Sequence, residues 1–293
     1  MPFIKYLDKI MKYRAVYNNY LSVMLNVMRG KKMIDIELTD GTVEKVAIEV
    51  AWTIPDIYSA SGHTLQPYRI LKLLAEEKIQ FHDRNVILHG IPQCGYASEV
   101  FLREEYKLLE PNDELVIDIG GHIGDSPIYF ALMGAKKVIA VEPSPYYYEL
   151  ARRNIKENGL ENRIELVLAG YGIEEMITPT KSKTVNFRDH PEYSNLLRER
   201  EFYSLNGLLN HFNINEAILK IDCEGCEYNL LGEENADIRK FKRIIIEYHN
   251  HYRSLKDKLE GAGFQVKFLN ENTPSILEHP WRFRSRGLLY AYL

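Results

Sequence analysis

Apolar and polar positions change period several times along the chain. Leu7, Ile10, Met11, Leu21, Met24, Leu25 and Met28 recur with lysines and arginines between them, which predicts a helix over 1–29 stopped at Gly30. A basic amphipathic helix of this kind can lie on a membrane or a partner. Tyr13, Tyr17 and Tyr20 interrupt the apolar stripe, however, and favour a helix packed on its own domain. KMIDIELTDGTVEKVAIEV (32–50) alternates on both sides of Asp40-Gly41, the signature of a β-hairpin whose turn needs positive φ. A polar, aromatic stretch follows. Helical spacing then returns near 66–77, a short strand is expected at 86–91, and helical spacing recurs at 96–109. Residues 1–94 thus read as a small α+β region, a cap or an oligomer contact, with no obvious chemistry.

From about 114 the pattern becomes strand–helix alternation. ELVIDIG and KVIAVEP are short apolar runs separated by the helical SPIYFALMGA. A helix over 145–158, a strand over 163–170, and the runs AILKID (217–222) and RIIIEYH (243–249) continue it. A helix of 252–262, FQVKFL and a final GLLYAYL complete the series. Near-continuous apolar strands alternating with helices indicate an α/β, doubly wound, mostly parallel sheet over 95–293. The polar segment 171–205 is the exception. Loops of that length in compact domains are often functional, and Arg188, His190 and Tyr193 are its candidate substrate contacts, against the plainer reading of a solvated loop.

Composition narrows the function more than the fold. The 293 residues are 45% hydrophobic and 27% charged, enough for a sizeable core, and the net charge of −4 supplies no global attraction for nucleic acid. An RNA substrate would need a local patch, for which the N-terminal helix and the Arg282–Arg286 cluster are the candidates. Twenty tyrosines fit an aromatic-rich core better than a pocket. Three cysteines, Cys94, Cys223 and Cys226, argue against a secreted disulfide scaffold, and no apolar run reaches eighteen residues. The expected location is the cytoplasm, with no membrane span.

VIDIGGHIGDS (116–126) places Asp118, Gly120, Gly121, His122, Gly124, Asp125 and Ser126 at a strand-to-helix turn. Glycines there let a ligand approach the main chain, and the helix N-terminus offers unpaired N–H groups. The dinucleotide fingerprint Gly-x-Gly-x-x-Gly is not met, since Ile119 stands at its first glycine. An acid at Asp118 repels a pyrophosphate and suits a cationic ligand, an ammonium or a sulfonium. That favours S-adenosylmethionine over a nicotinamide dinucleotide. The next strand ends Val141-Glu142-Pro143, where an acid about 20 residues beyond the glycine turn can accept both hydrogens of a ribose diol. A helix cap or a surface charge is the plainer role for Glu142.

These segments, with LKIDCEGCEYNLL and IIIEYHN, resemble the FkbM-type methyltransferases, a branch of the class I Rossmann-like enzymes, over about 114–265. The resemblance implies a seven-stranded sheet with S-adenosylmethionine over the ends of its first three strands. It also implies methyl transfer, usually to the oxygen of a small molecule or sugar-like hydroxyl. Asp118, Gly120 and Gly124 match the first cofactor motif, Glu142 the ribose acid, and Asp222, Glu224, Gly225 and Glu227 the signature Lys-x-Asp-x-Glu-Gly-x-Glu. His122 stands where many methyltransferases have glycine.

The fourth and fifth strand ends are neighbours in such a sheet, so Asp222, Glu224, Glu227, Glu247 and His249 converge on one expected pocket. Asp222, Glu224 and His249 are the candidates for the base that takes the acceptor's proton, and Glu227 and Glu247 for substrate contacts. The plainer role of Glu224 or Glu227 is to cap the helix expected at Gly225. The same oxygens with His249 are chemically able to hold a divalent metal, although none is expected. Cys223 and Cys226, with His249 and His251, make a conceivable zinc set. Small buried hydrophobes are the expected role of both cysteines, and a redox pair the least expected. A small-molecule or glycan acceptor is thus the leading expectation, with an RNA methyltransferase or a non-catalytic S-adenosylmethionine-binding module as alternatives.

Overall fold

The computed structural model describes residues 2–90, 100–172, 201–269 and 287–293. Cys94, Arg188, His190, Tyr193 and the Arg282–Arg286 cluster lie outside these. The chain divides into two compact units, Met1–Glu105 and Tyr106–Leu293. Among the described residues no helix is long and apolar enough to cross a membrane.

In the first unit the expected N-terminal helix is two helices, α1 (Pro2–Val16) and α2 (Tyr20–Met28). The break has a cause: Tyr17 bridges Leu38, its hydroxyl donates to the Ala51 carbonyl at 2.7 Å, and the Asn18 N–H donates to Glu37 O. The hairpin follows, with β1 (Met33–Glu37) antiparallel to β2 (Val43–Ala47) and Gly41 at φ 89° in the turn. Helix α3 (Ile48–Ala60) occupies the stretch read as strand end and polar connection. Ala51, Ile54 and Ile57 recur every third position and are buried, so the helical period overrides the strand-like alternation before it. Helix α4 (Pro67–Glu76) and the hairpin β3 (Lys78–Phe81) and β4 (Arg84–Ile87) complete the unit. The helix expected to run to 109 has ended by Leu102, and Glu104 and Glu110 have positive φ, which an α-helix cannot carry.

The second unit is a seven-stranded sheet. Its strands are β5 (Leu115–Ile119), β6 (Lys137–Val141), β7 (Ile164–Val167), β10 (Ala217–Ile221), β11 (Phe241–Tyr248), β12 (Gln265–Phe268) and β13 (Gly287–Tyr292). The two-residue strands β8 (Gly170–Tyr171) and β9 (Phe202–Tyr203) form a separate parallel pair. Helices α5 (Asp125–Leu132), α6 (Pro145–Glu157), α7 (Leu205–His211), α8 (Asn235–Ile238) and α9 (Tyr252–Gly261) lie between strands. The order is β12-β13-β11-β10-β5-β6-β7, and only β13 runs antiparallel to its neighbours. Chain order reverses between β5 and β10, the place where open α/β sheets bind ligands beyond their strand ends.

That switch point is held by a buried ion pair. Lys220 is 1% exposed in a strand whose other members, Ala217, Ile218, Leu219 and Ile221, are all buried. It is the register partner of Asp118, with its Nζ 2.9 Å from Asp118 Oδ1. Nζ also donates to the Gly120 carbonyl at 2.7 Å and to Ser126 Oγ at 3.2 Å, and Ser126 Oγ donates to Asp118 Oδ2. Burial alone would lower the Lys220 pKa, but Asp118 and Asp222 outweigh it and raise it, so the ammonium stays charged. The glycine turn presses on the same strand end: a Cβ on Gly120, at φ 86°, would stand 1.8 Å from the Asp222 carbonyl oxygen.

The effects of substitutions here are measured as urea unfolding free energies. Lys220→Met strands a buried carboxylate and is expected to cost about 3–5 kcal/mol, much of which Asp118→Asn in the same chain restores, because no buried charge is then left unpaired. Gly120→Ala is expected to cost roughly 4 kcal/mol or more, or to prevent folding. Gly159→Ala, also at positive φ but with nothing within 4 Å, is expected to lose only about 1–2 kcal/mol.

Candidate active site

The first half of the site is the turn from β5 to α5. The N–H groups of Gly120 and Gly121 both donate to the Val141 carbonyl, so the turn folds back over the end of β6. Gly124, at φ 89°, lets α5 start against α6: a Cβ there would lie 3.1 Å from Ala151 Cα. The buried Asn154 side chain donates to the Ile123 carbonyl at 2.8 Å and locks the same junction. Asp125 opens α5 as an acidic residue in its first turn, where the helix dipole favours it, and is buried.

Glu142 sits at the tip of β6, 5% exposed. Its Oε2 accepts the His122 N–H at 2.9 Å and its Oε1 the Ser144 N–H at 2.8 Å. Each oxygen keeps a second lone pair free for a ligand hydroxyl. Burial raises its pKa to about 7, against the pull of those two N–H donors. His122 takes a positive φ of 45°, its ring 4.3 Å from that of Tyr147, and burial lowers its pKa. Pro143 is half-buried between Glu142 and Ser144, the N-cap of α6.

The Lys220 ammonium stands beside Asp118, and Ser126 is enclosed in the same hydrogen-bond network. Both hold the turn from beneath.

The second half of the site lies at the ends of β10 and β11. A ligand atom from each of Asp222, Glu247 and His249 lies within 4.8 Å of the others. Glu247 and His249 are buried and Asp222 half-buried, with the Tyr106 hydroxyl donating to Asp222 Oδ2 at 3.2 Å. Glu227, fully buried, ties this corner together. Its Oε2 accepts the Gly225 N–H at 2.7 Å, while Oε1 accepts the His249 N–H at 3.0 Å and faces His249 Nδ1 at 3.1 Å. It closes the turn before the 3-10 segment Cys226–Gly232 and fixes the histidine ring, so its contacts are internal ones. Glu224 has a half-exposed side chain, with Oε2 at 3.4 Å from His249 Nε2, an ion-pair distance without hydrogen-bond geometry. Burial alone would lower the His249 pKa, but Glu224 and Glu227 outweigh it and raise it to about 10.

Cys223 and Cys226 form a disulfide, which corrects their reading as two separate buried hydrophobes and leaves no thiolates for zinc. Glu224 at φ 55° and Gly225 at φ 126° curl the chain so that the two Cα atoms stand 5.4 Å apart, within disulfide reach. Motif reading included Lys220 as the first residue of the signature but gave it no role, and it missed Tyr106. A lysine inside the apolar run AILKI was a signal for the first; none in the sequence pointed to the second.

The methyltransferase FkbM domain family matches residues 118–269. Uncharacterized protein 158B of Sulfolobus islandicus rod-shaped virus 1 is 27% identical over 158 residues, which span 54% of this chain and 73% of that protein. Among solved structures, TrmK of M. capricolum in complex with S-adenosyl-homocysteine is 15% identical, with a TM-score of 0.39 over 64% of this chain and 67% of its own. An rRNA methylase from Streptococcus thermophilus gives 15% identity and a TM-score of 0.39, covering 65% and 94% of the two chains. Because the family match runs from Asp118 in β5 past the end of β12, over half of the sequence, the chain belongs to the FkbM methyltransferase family, whose methyl donor is S-adenosylmethionine.

Proposed function

We propose that the chain transfers the methyl group of S-adenosylmethionine to a hydroxyl oxygen of a small molecule or sugar-like acceptor. The observation that carries this reading is the cluster of Asp222, Glu247 and His249 at the strand ends beside the glycine turn. A dense group of acids repels a phosphate backbone and attracts hydroxyl hydrogens. In this reading the turn from Gly120 to Gly124 receives the cofactor, Glu142 accepts the two ribose hydroxyls, and Asp118 supports the turn through Lys220.

The acceptor oxygen attacks the methyl carbon in line with the C–S bond. A lone pair of the oxygen forms the C–O bond, the C–S pair returns to sulfur, and the acceptor's proton goes to a carboxylate. Alignment of the two reactants supplies much of the rate. Asp222 and Glu224 are the groups placed to take the proton. His249 is already protonated at neutral pH between its glutamates, so among the three candidates it is the least able to act as base.

Two measurements test this. Incubating the full chain with methyl-labelled S-adenosylmethionine and a fractionated cell extract is expected to label low-mass or glycan fractions with an alkali-stable ether methyl. Label found only in ribonuclease-sensitive material would sink the acceptor class proposed. Cofactor binding is also expected to depend on pH through Glu142. Below about 7 the carboxyl is protonated and cannot accept both ribose hydrogens, so calorimetric affinity for S-adenosylhomocysteine should fall as pH drops from 7.5 to about 5.5. Glu142→Gln should weaken binding about tenfold to a hundredfold at pH 7.5, from the roughly 1.5–3 kcal/mol of hydrogen bonds to a charged group, and should flatten that pH profile.

A further inference from the structure

The corner formed by Asp222, Glu247 and His249 contains an unsatisfied buried atom. His249 is 6% exposed, and its Nε2 has no hydrogen-bond partner among the described residues. Such an atom needs an explanation, because a buried polar group left unpaired is destabilising. The ring is not free to turn away. Glu227 holds Nδ1 at 3.1 Å and is itself fixed by the N–H groups of Gly225 and His249. Nε2 therefore points at Glu247 Oε2, 4.0 Å away, and at Glu224 Oε2, 3.4 Å away.

A buried carboxylate on one ring nitrogen and acidic oxygens around the other is the arrangement that metal-binding histidines use. The outer carboxylate fixes the tautomer and strengthens the inner nitrogen as a donor. Asp222 has its own outer partner, the Tyr106 hydroxyl. From this geometry we propose that Asp222, Glu247 and His249 bind a divalent transition-metal ion, with Glu227 and Tyr106 positioning its ligands.

Two carboxylates and one imidazole suit Mn2+, Fe2+ or Zn2+ better than Mg2+ or Ca2+, which take oxygen ligands. Ligand atoms about 2.0–2.3 Å from an ion stand roughly 3–4 Å apart. The atoms here lie within 4.8 Å of one another, so small side-chain rotations close the set. Binding at Nε2 releases the proton held there, and the half-exposed Glu224 is placed to add a fourth oxygen. Three or four protein ligands leave open positions on the ion. That it fills one of them with the acceptor's hydroxyl oxygen, lowering the pKa of that hydroxyl before methyl transfer, rests on the function proposed above.

The test is binding of Mn2+ to the full chain after chelator treatment, followed by the loss of the free-ion electron paramagnetic resonance signal, with no cofactor or acceptor present. About one ion per chain is expected. Asp222→Asn and His249→Ala should each weaken binding at least tenfold, and Glu227→Gln by about tenfold through the histidine. Thermal unfolding reports whether each variant keeps its fold. Asp222, being half-buried and at a strand end, is the substitution least exposed to folding failure. No loss of free Mn2+ up to about 1 mM overturns the proposal, as does unchanged affinity in Asp222→Asn. Confirmed Mn2+ binding without labelled hydroxyl products would leave the metal site standing and remove the acceptor reading.

Discussion

The pairing of Lys220 with Asp118 is the constraint on which the rest of the methyltransferase unit depends. It joins register partners on β10 and β5, the two strands where chain order reverses. A charged pair so deeply buried is weak evidence for stability, since desolvation offsets most of the attraction. Its value here is positional. The ammonium has three kinds of partner, the Asp118 carboxylate, the Gly120 carbonyl and the Ser126 hydroxyl. Together these fix where β5 ends, how the glycine turn leaves it and where α5 begins. The Gly120 turn then rests directly on the Asp222 carbonyl, so one network aligns the glycine turn and the acidic strand end.

Within that frame the acids divide by environment rather than by residue type. Glu227 is buried and spends both oxygens on backbone N–H groups and the His249 ring. Glu142 also accepts two N–H groups, but retains lone pairs and lies at the tip of β6. Asp222 is half-buried, Glu224 exposed, and Glu247 buried beside the histidine. The corner around His249 holds more negative than positive charge, and it is completed by a cation, whether a proton on Nε2 or a metal ion.

Much of this was legible in sequence because each reading rested on a local pattern. Glycines flanking an apolar run mark a strand-to-helix turn, and an acid about 20 residues later marks the next strand tip. Strand–helix alternation implied the sheet, and the adjacency of β10 and β11 brought Asp222, Glu247 and His249 together as expected. What escaped depends on contacts remote in the chain or on backbone angles. Tyr106 meets Asp222 across 116 residues. The ion pair of Asp118 escaped because its partner Lys220 lies on another strand. The disulfide required the two successive positive φ angles at Glu224 and Gly225, which spacing alone does not reveal. Helix α3 was obscured because Ile48 and Val50 extend the alternation of the strand before it.

Charge transfer connects these features to the proposed chemistry. Methyl transfer from a sulfonium to a neutral hydroxyl discharges the sulfur, and the acceptor's proton must leave the oxygen. Positive charge thus passes from the sulfonium toward the acceptor oxygen, and a carboxylate there lowers the energy of that passage. Acids left bare on the donor side would act in the opposite sense, by stabilising the sulfonium before reaction. The structure pairs the fully buried Asp118 with Lys220 and gathers Asp222 and Glu247 at the ends of β10 and β11. Glu142 has its charge met by two N–H donors. The field available to the reaction therefore comes mainly from the Asp222, Glu224 and Glu247 corner. A metal ion there would reverse its local sign and do the same work differently, by acidifying the hydroxyl before the methyl moves. In both cases the proton is drawn toward the acid-rich strand ends, and the fold supplies the direction by separating the two groups of acids across the switch point.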